Sequence, residues 1–229
     1  MNVYEEGQVL LINKPLRWTS FDVVKKIRNL VCIKKVGHAG TLDPLASGLL
    51  IICTGKFTKK INQYMAQEKE YTGSFTLGAT TPTFDLESEP QNFKSIENIT
   101  EEDISAEMHP FIGEIMQIPP AHSAIKVDGK RLYESARQGK DVKPEARKIT
   151  IKEFEITNIN PIAIGLPVLH FKVVCSTGTY IRSLAYDFGK ALGCGAYLSS
   201  LCRTRIGEFT LNEAMTIEEF ERKIKNEAL

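Results

Sequence analysis

Strand-like segments that follow one another with no helix between them constrain this chain more than any other feature. The apolar, β-rich stretches 147–158 and 166–175 are separated by a few residues, as are 111–117 and 123–127, and such gaps cannot hold the helical crossover that parallel neighbours need. A doubly wound parallel sheet is therefore disfavoured, and the pattern predicts an α+β fold: a mixed, largely antiparallel sheet flanked by helices. Further strands are expected at 9–13, 49–54, 69–78 and 196–209. Helices are expected at 20–32, with Ser20 as N-cap and Phe21, Val24, Ile27 and Val31 on one face, and at 56–66. Others are expected at 101–108 after Thr100, at 130–138 ending at Gly139, and at 180–192 ending at Gly193, where a left-handed residue closes the helix. Thr216 and Glu219 form a capping-box pattern ahead of a final helix carrying Ile217, Phe220 and Ile224. Asp128-Gly129 is a tight-turn signal. Residues 79–100, rich in Thr, Pro, Ser and Glu, are expected as a surface insertion.

With 229 residues, 42% of them hydrophobic and 25% charged, the composition excludes disorder and coiled coil and suits one domain spanning 1–229. The longest apolar run, Leu49-Leu50-Ile51-Ile52-Cys53, falls far short of the ~18 residues needed to cross a bilayer and suits a buried strand. The start carries acidic residues where a signal peptide needs basic ones, which predicts a cytoplasmic protein with no membrane partner. Five cysteines with no CxxC spacing predict buried, reduced thiols. The net charge of +1 hides a segregation: residues 1–67 hold ten Lys/Arg against four Asp/Glu, residues 68–110 two against ten, and residues 126–152 nine against four. Such clustering can build a basic face for phosphates or only a solvated surface.

Gly55-Lys56 lacks the glycine of a phosphate-binding loop, since Leu50 stands in its place, and Gly193-Cys194-Gly195 lacks the third glycine of a dinucleotide fingerprint. The four histidines are scattered, so no metal is expected. The informative string is GHAGTLDPLASG, residues 37–48. It packs Gly37, Gly40, Pro44 and Gly48 around His38, Thr41 and Asp43 and runs straight into the apolar strand. By residue chemistry alone, Asp43 before Pro44 fits either a turn cap or a reactive carboxylate.

This whole string resembles the catalytic loop of the TruB family, the tRNA pseudouridine-55 synthases. The resemblance continues in order along the chain. Lys14-Pro15 with Thr19-Ser20 is similar to the family's early KPxGxTS element, and Lys69-Glu70-Tyr71 to its tyrosine-containing strand. PPAHSAIKVDGKRLYESARQG (119–139) resembles its RNA-facing segment, Ser176–Arg182 its [ST]xGTYIR element, and Leu192–Ala196 its GCGA element. The fold implied is the pseudouridine synthase catalytic fold. The reaction implied breaks the glycosidic bond of a uridine in RNA, turns the base and rejoins it through carbon, with no cofactor and a tRNA T-arm stem-loop as partner.

By resemblance Asp43 is the nucleophile, Arg182 the cation that keeps it ionised, and Tyr71 the ring that stacks on the target base and serves the last proton transfer. A uridine in a folded loop has to be flipped out. His38 would fill the vacated space, with Tyr180 and Leu201 lining the base pocket and Asp85 near the flipped nucleotide. Lys14, Lys59, Lys126, Lys130, Arg131 and Arg137 are candidate phosphate contacts. Three departures stand out: Arg17 replaces the glycine of KPxGxTS, His122 replaces an aromatic residue, and there is no room for the C-terminal PUA domain that many relatives carry. A monomer is expected, with the catalytic body alone gripping RNA and binding strongly salt-dependent. The alternatives are an RNA-binding chaperone without chemistry and an aspartate-nucleophile glycoside hydrolase, which would need a second carboxylate.

Overall fold

The structure, a computed structural model, describes residues 2–121, 123, 126–127, 130–131, 144–160 and 166–227. In chain order the helices are α1 (Val3–Glu6), α2 (Ser20–Val31), α3 (Ile61–Met65), α4 (Glu101–Met108), α5 (Ile181–Ala191) and α6 (Ile217–Glu227). The strands are β1 (Val9–Lys14), β2 (Val36–His38), β3 (Ala46–Thr54), β4 (Lys69–Leu77), β5 (Gly113–Gln117), β6 (Lys126–Val127), β7 (Lys130–Arg131), β8 (Arg147–Asn160), β9 (Val168–Cys175), β10 (Ala196–Ile206) and β11 (Phe209–Thr210). They fall into two compact units, one of residues 1–72 and 201–229 and the other of residues 73–200. No helix among the described residues is long and apolar enough to cross a membrane.

In the first unit β3 is the central strand. It pairs antiparallel with β1 from Val9↔Cys53 to Lys14↔Gly48, antiparallel with β2, and parallel with β10 at Leu201↔Ala46 through Arg203↔Gly48. One face of β3 sends Leu50 and Ile52 into a core with Ile12, Val23, Val24, Ile27 and Phe220. The other sends Leu49, Ile51 and Cys53 against Ala39 and Ile206. Covering both faces is why the segment reads as an unbroken apolar run rather than an alternating one. In the second unit β8 pairs antiparallel with β5 and β9. Phe75, Phe154, Phe171 and Phe188 meet in a cluster of rings, with Phe75 stacked on Phe171 at 4.3 Å between centroids. The sheet is thus mixed, with antiparallel strands flanked by helices, as expected.

Several local readings are corrected. The N-cap of α2 is Thr19, not Ser20: the Asp22 amide donates to the Thr19 hydroxyl at 3.0 Å while the Asp22 carboxylate accepts from the Thr19 amide at 2.9 Å. Phe21 lies 60% exposed and Val23 takes its place on the buried face. Residues 55–60 form a 3-10 turn ahead of the short α3, so the expected helix at 56–66 divides in two. Strand β5 starts only at Gly113, after a 3-10 turn at His109–Phe111. Residues 130 and 131, expected to open a helix, pair as β7 with β6; residues 132–138 and the Asp128-Gly129 turn lie outside the described residues. The 79–100 segment opens buried rather than on the surface, with Ala79, Thr81, Thr83 and Asp85 all below 9% exposure, and no residue is buried from Leu86 to Thr100. Asp85 bridges to Leu198 and the Leu198 amide donates to the Phe84 carbonyl. Helices α4, α5 and α6 form as read, with the capping boxes of Thr100 and Thr216 and a positive φ at Gly193. All five cysteines are free, with Cys53, Cys175 and Cys194 buried.

Candidate active site

The loop between β2 and β3 carries the half-buried Asp43. Its backbone is tied at almost every residue. The Ala39 amide donates to the Ile51 carbonyl at 2.9 Å, the Ala46 amide to the Asp43 carbonyl at 3.0 Å, and the Arg17 amide to the Pro44 carbonyl at 2.7 Å. The Ser20 hydroxyl donates to the Leu42 carbonyl at 3.2 Å and accepts from the Leu42 amide at 2.9 Å. Freed from capping by Thr19, Ser20 thus serves the loop.

Beneath the loop lies Arg203, 1% exposed. Its Nε donates to the Leu49 carbonyl at 2.8 Å, Nη2 to Gly40 at 3.1 Å and Nη1 to Thr41 at 3.4 Å. One guanidinium therefore satisfies three carbonyls around Asp43, a task that suits its planar fork. Gly48, opposite Arg203 on β3, makes this approach possible: it has φ +103°, and a Cβ there would press on the Arg203 carbonyl oxygen and lie 2.7 Å from its amide nitrogen. Sequence reasoning missed both Ser20 in this role and Arg203.

Lys14 is corrected. Expected as a phosphate contact, it is fully buried at the end of β1, and its ammonium donates to the carbonyls of Trp18 (2.6 Å) and Pro15 (3.0 Å). Burial pulls its pKa down to about 8, against the attraction of Asp43, with the Arg203 charge lowering it further. Because the unfolded chain keeps Lys14 protonated to about 10.4, it binds more protons than the folded chain above pH 8. Stability from this group therefore rises with pH between about 8 and 10. In parallel thermal melts, wild type should gain on Lys14→Met by about 2–3 kcal/mol over that window. Identical pH dependence of the two proteins would overturn this assignment.

His38 ends β2, half-buried; desolvation lowers its pKa from 6.5, which keeps the ring neutral near pH 7, and its Nδ1 has no hydrogen-bond partner among the described residues. Tyr71 on β4 is buried at 8% exposure, and Leu201 on β10 is half-buried. Lys59 is exposed on the 3-10 turn after β3. The first unit thus holds Asp43, His38, Tyr71, Leu201 and Lys59, besides Lys14 and Arg203.

In the second unit Arg182, 5% exposed at the start of α5, pairs with Asp85: Nε lies 3.6 Å from Oδ2, and Nη1 donates to the Thr83 carbonyl at 3.3 Å. Asp85 is further held by the Glu87 amide at 3.0 Å on its Oδ1, and its carbonyl accepts from the Thr81 hydroxyl at 2.8 Å. Tyr180 is the N-cap of α5 and has no side-chain cap of its own. Gln117, 2% exposed, holds the Tyr180 backbone: its Oε1 accepts from the Tyr180 amide at 2.8 Å and its Nε2 donates to the Tyr180 carbonyl at 3.1 Å. Lys126, Lys130 and Arg131 lie on the β6–β7 hairpin, whereas Arg137 and His122 lie outside the described residues.

Comparison with known proteins identifies the family. Residues 28–181 match the family described as TruB family pseudouridylate synthase (N terminal domain), and residues 182–228 match the tRNA pseudouridylate synthase B C-terminal domain. The tRNA pseudouridine synthase B of Flavobacterium johnsoniae is 55% identical, covering 97% of this chain and 98% of that protein. That of Phocaeicola vulgatus is 51% identical, covering 95% and 93%. Among solved structures, a chain of the Cbf5-Nop10-Gar1 complex superposes with a TM-score of 0.74 at 29% identity, and a chain of an H/ACA RNP bound to a substrate RNA containing 2'-deoxyuridine with 0.71 at 26%. Each covers 99% of this chain, which spans 57% of the solved one. On the match of two consecutive family segments and the full-length identity to curated relatives, the chain belongs to the TruB family of pseudouridylate synthases.

Proposed function

We propose that this protein is a tRNA pseudouridine synthase, an isomerase that converts uridine 55 of the tRNA T-loop to pseudouridine in the cytoplasm, acting as a monomer without a cofactor. The observation that carries the reading is the immobilised Asp43 loop, whose backbone is fixed by Ser20, Arg17 and Arg203. Such a loop holds in place the backbone that carries the carboxylate, the setting a covalent or proton-abstracting step requires. The full-length likeness to relatives named tRNA pseudouridine synthase B supplies the substrate class.

In this reading the target uridine leaves its stack, at a cost of a few kcal/mol. The bond from C1′ to N1 breaks, the uracil turns, and a bond from C1′ to C5 forms. N1 takes up a proton and C5 loses one, so no redox partner is needed. Asp43 is the group that attacks base or sugar or abstracts the sugar proton, and Arg182 is its proposed cationic partner. Tyr71 stacks on the base and handles the proton at C5. His38, Tyr180, Leu201 and Asp85 shape the pocket. Lys59, Lys126, Lys130, Arg131 and Arg137 are proposed phosphate contacts.

The test is release of tritium from a T-arm stem-loop labelled at C5 of the target uridine. One equivalent released per stem-loop is expected. Release only from loops with the uridine at another position would reassign the target, and binding without release from any RNA would favour the chaperone reading.

A further inference from the structure

Arg17 adopts a backbone conformation that arginine rarely takes, with φ +68°. Side chains with a Cβ disfavour this left-handed region, and glycine is the residue that occupies it freely. Nothing in the backbone contact demands arginine, because the bond from its amide to the Pro44 carbonyl would form with glycine too. The side chain is exposed, and no hydrogen bond or ion pair holds it among the described residues. What the arginine contributes is therefore sought outside the chain.

Arg17 borders a shallow, open cleft of about 440 Å³ with Trp18, Asp22, Lys25, Lys26 and Asn29. The carboxylate of Asp22 is already engaged by the Thr19 amide and hydroxyl, and Lys26 is paired with Glu221 at 2.7 Å. Lys25 acts on the Asp22 carboxylate, so Arg17 is the exposed cation left to an incoming group. The strained residue sits one backbone hydrogen bond from the residue that follows Asp43. A surface depression with an exposed guanidinium at its edge fits a nucleic-acid backbone.

We propose that Arg17 contacts a phosphate of the substrate RNA, and that the cleft it borders docks RNA backbone beside the Asp43 loop. The inference rests on the RNA-modifying reading above and extends it to a residue that departs from the family pattern. Strain and binding here pull in opposite directions, which gives the test its two signs. Arg17→Gly in the full chain should raise the melting temperature by about 2–4 °C, because glycine fits the backbone. It should also weaken binding of a T-arm stem-loop about fivefold at physiological salt and flatten the slope of log affinity against log salt by about 0.7–0.9, the loss of one phosphate contact. Arg17→Lys, which keeps both the charge and the strained backbone, should bind within about twofold of wild type and show no gain in melting temperature. If wild type binds the stem-loop and Arg17→Gly binds it equally, with the same salt slope, the contact is overturned while the enzyme reading stands. If wild type binds no RNA, both fall together.

Discussion

Asp43→Asn should abolish tritium release from the T-arm stem-loop, lowering the rate by on the order of 10⁴-fold or more, the scale on which removing a reacting carboxylate or nucleophile acts. The amide is almost isosteric with the carboxylate, so packing around the half-buried side chain is retained. The loop bonds are made by backbone atoms and by other side chains: the Asp43 carbonyl accepts from Ala46, Leu42 is held by Ser20, and Pro44 by Arg17. None of these needs the carboxylate. What the amide cannot do is carry the negative charge that adds to an electron-poor carbon or takes a proton. Binding of the stem-loop should therefore stay within about threefold of wild type, since phosphate contacts dominate affinity. A rate loss matched by an equal loss of binding would instead make Asp43 part of the grip. Full activity in Asp43→Asn would return it to the role of a turn cap.

The sheet and its helices were legible because their signals are local: apolar runs, caps and closing glycines sit within a few residues of one another. The α2 start was misread by one position because Thr19 and Ser20 are both good caps, and only the bond between Ser20 and Leu42, twenty-two residues away, shows which one is spent on the loop. Asp43, Arg182 and Tyr71 were named through resemblance of ordered motifs, whereas the groups that hold the loop were not. Arg203 and Arg205 alternate on the same strand with nothing in the sequence to distinguish them. Arg205 reaches Glu68 at 3.0 Å and is partly exposed, while Arg203 is buried because its strand runs parallel to β3 opposite Gly48. Register across more than 150 residues decides which arginine serves the site. Lys14 was misassigned for the same reason: a lysine after an apolar strand reads as exposed, and its burial depends on the Pro15–Trp18 carbonyls turning back over it. Gln117 gave no signal at all, because its two bonds to Tyr180 depend on a contact 63 residues away.

Arg203 offers the second large effect. Arg203→Met fills most of the volume but leaves the buried carbonyl of Leu49 and the less buried carbonyls of Gly40 and Thr41 without these donors. Each buried unsatisfied group costs about 1–3 kcal/mol, so a total loss of roughly 3–5 kcal/mol is expected, or about 6–20 °C in melting temperature for a chain of this size. A merely structural residue would show that loss and nothing else. Arg203→Lys separates the two roles. It keeps the charge and much of the volume, and a single ammonium can satisfy one or two of the carbonyls, so stability should recover in large part. It cannot reproduce a planar fork that spans Leu49 on the strand and Gly40 and Thr41 on the loop. The loop then loses its ties at Gly40 and Thr41, on the approach to Asp43, and displacement of a reacting group by about 1 Å is worth about 10²-fold in rate. Arg203→Lys should therefore fold, bind the stem-loop with unchanged affinity, and release tritium about 10- to 100-fold more slowly, with the loss in kcat rather than KM. Full kcat in Arg203→Lys would show that a buried cation suffices there, whereas equal stability of Arg203→Met and wild type would show that the three carbonyls do not depend on this guanidinium.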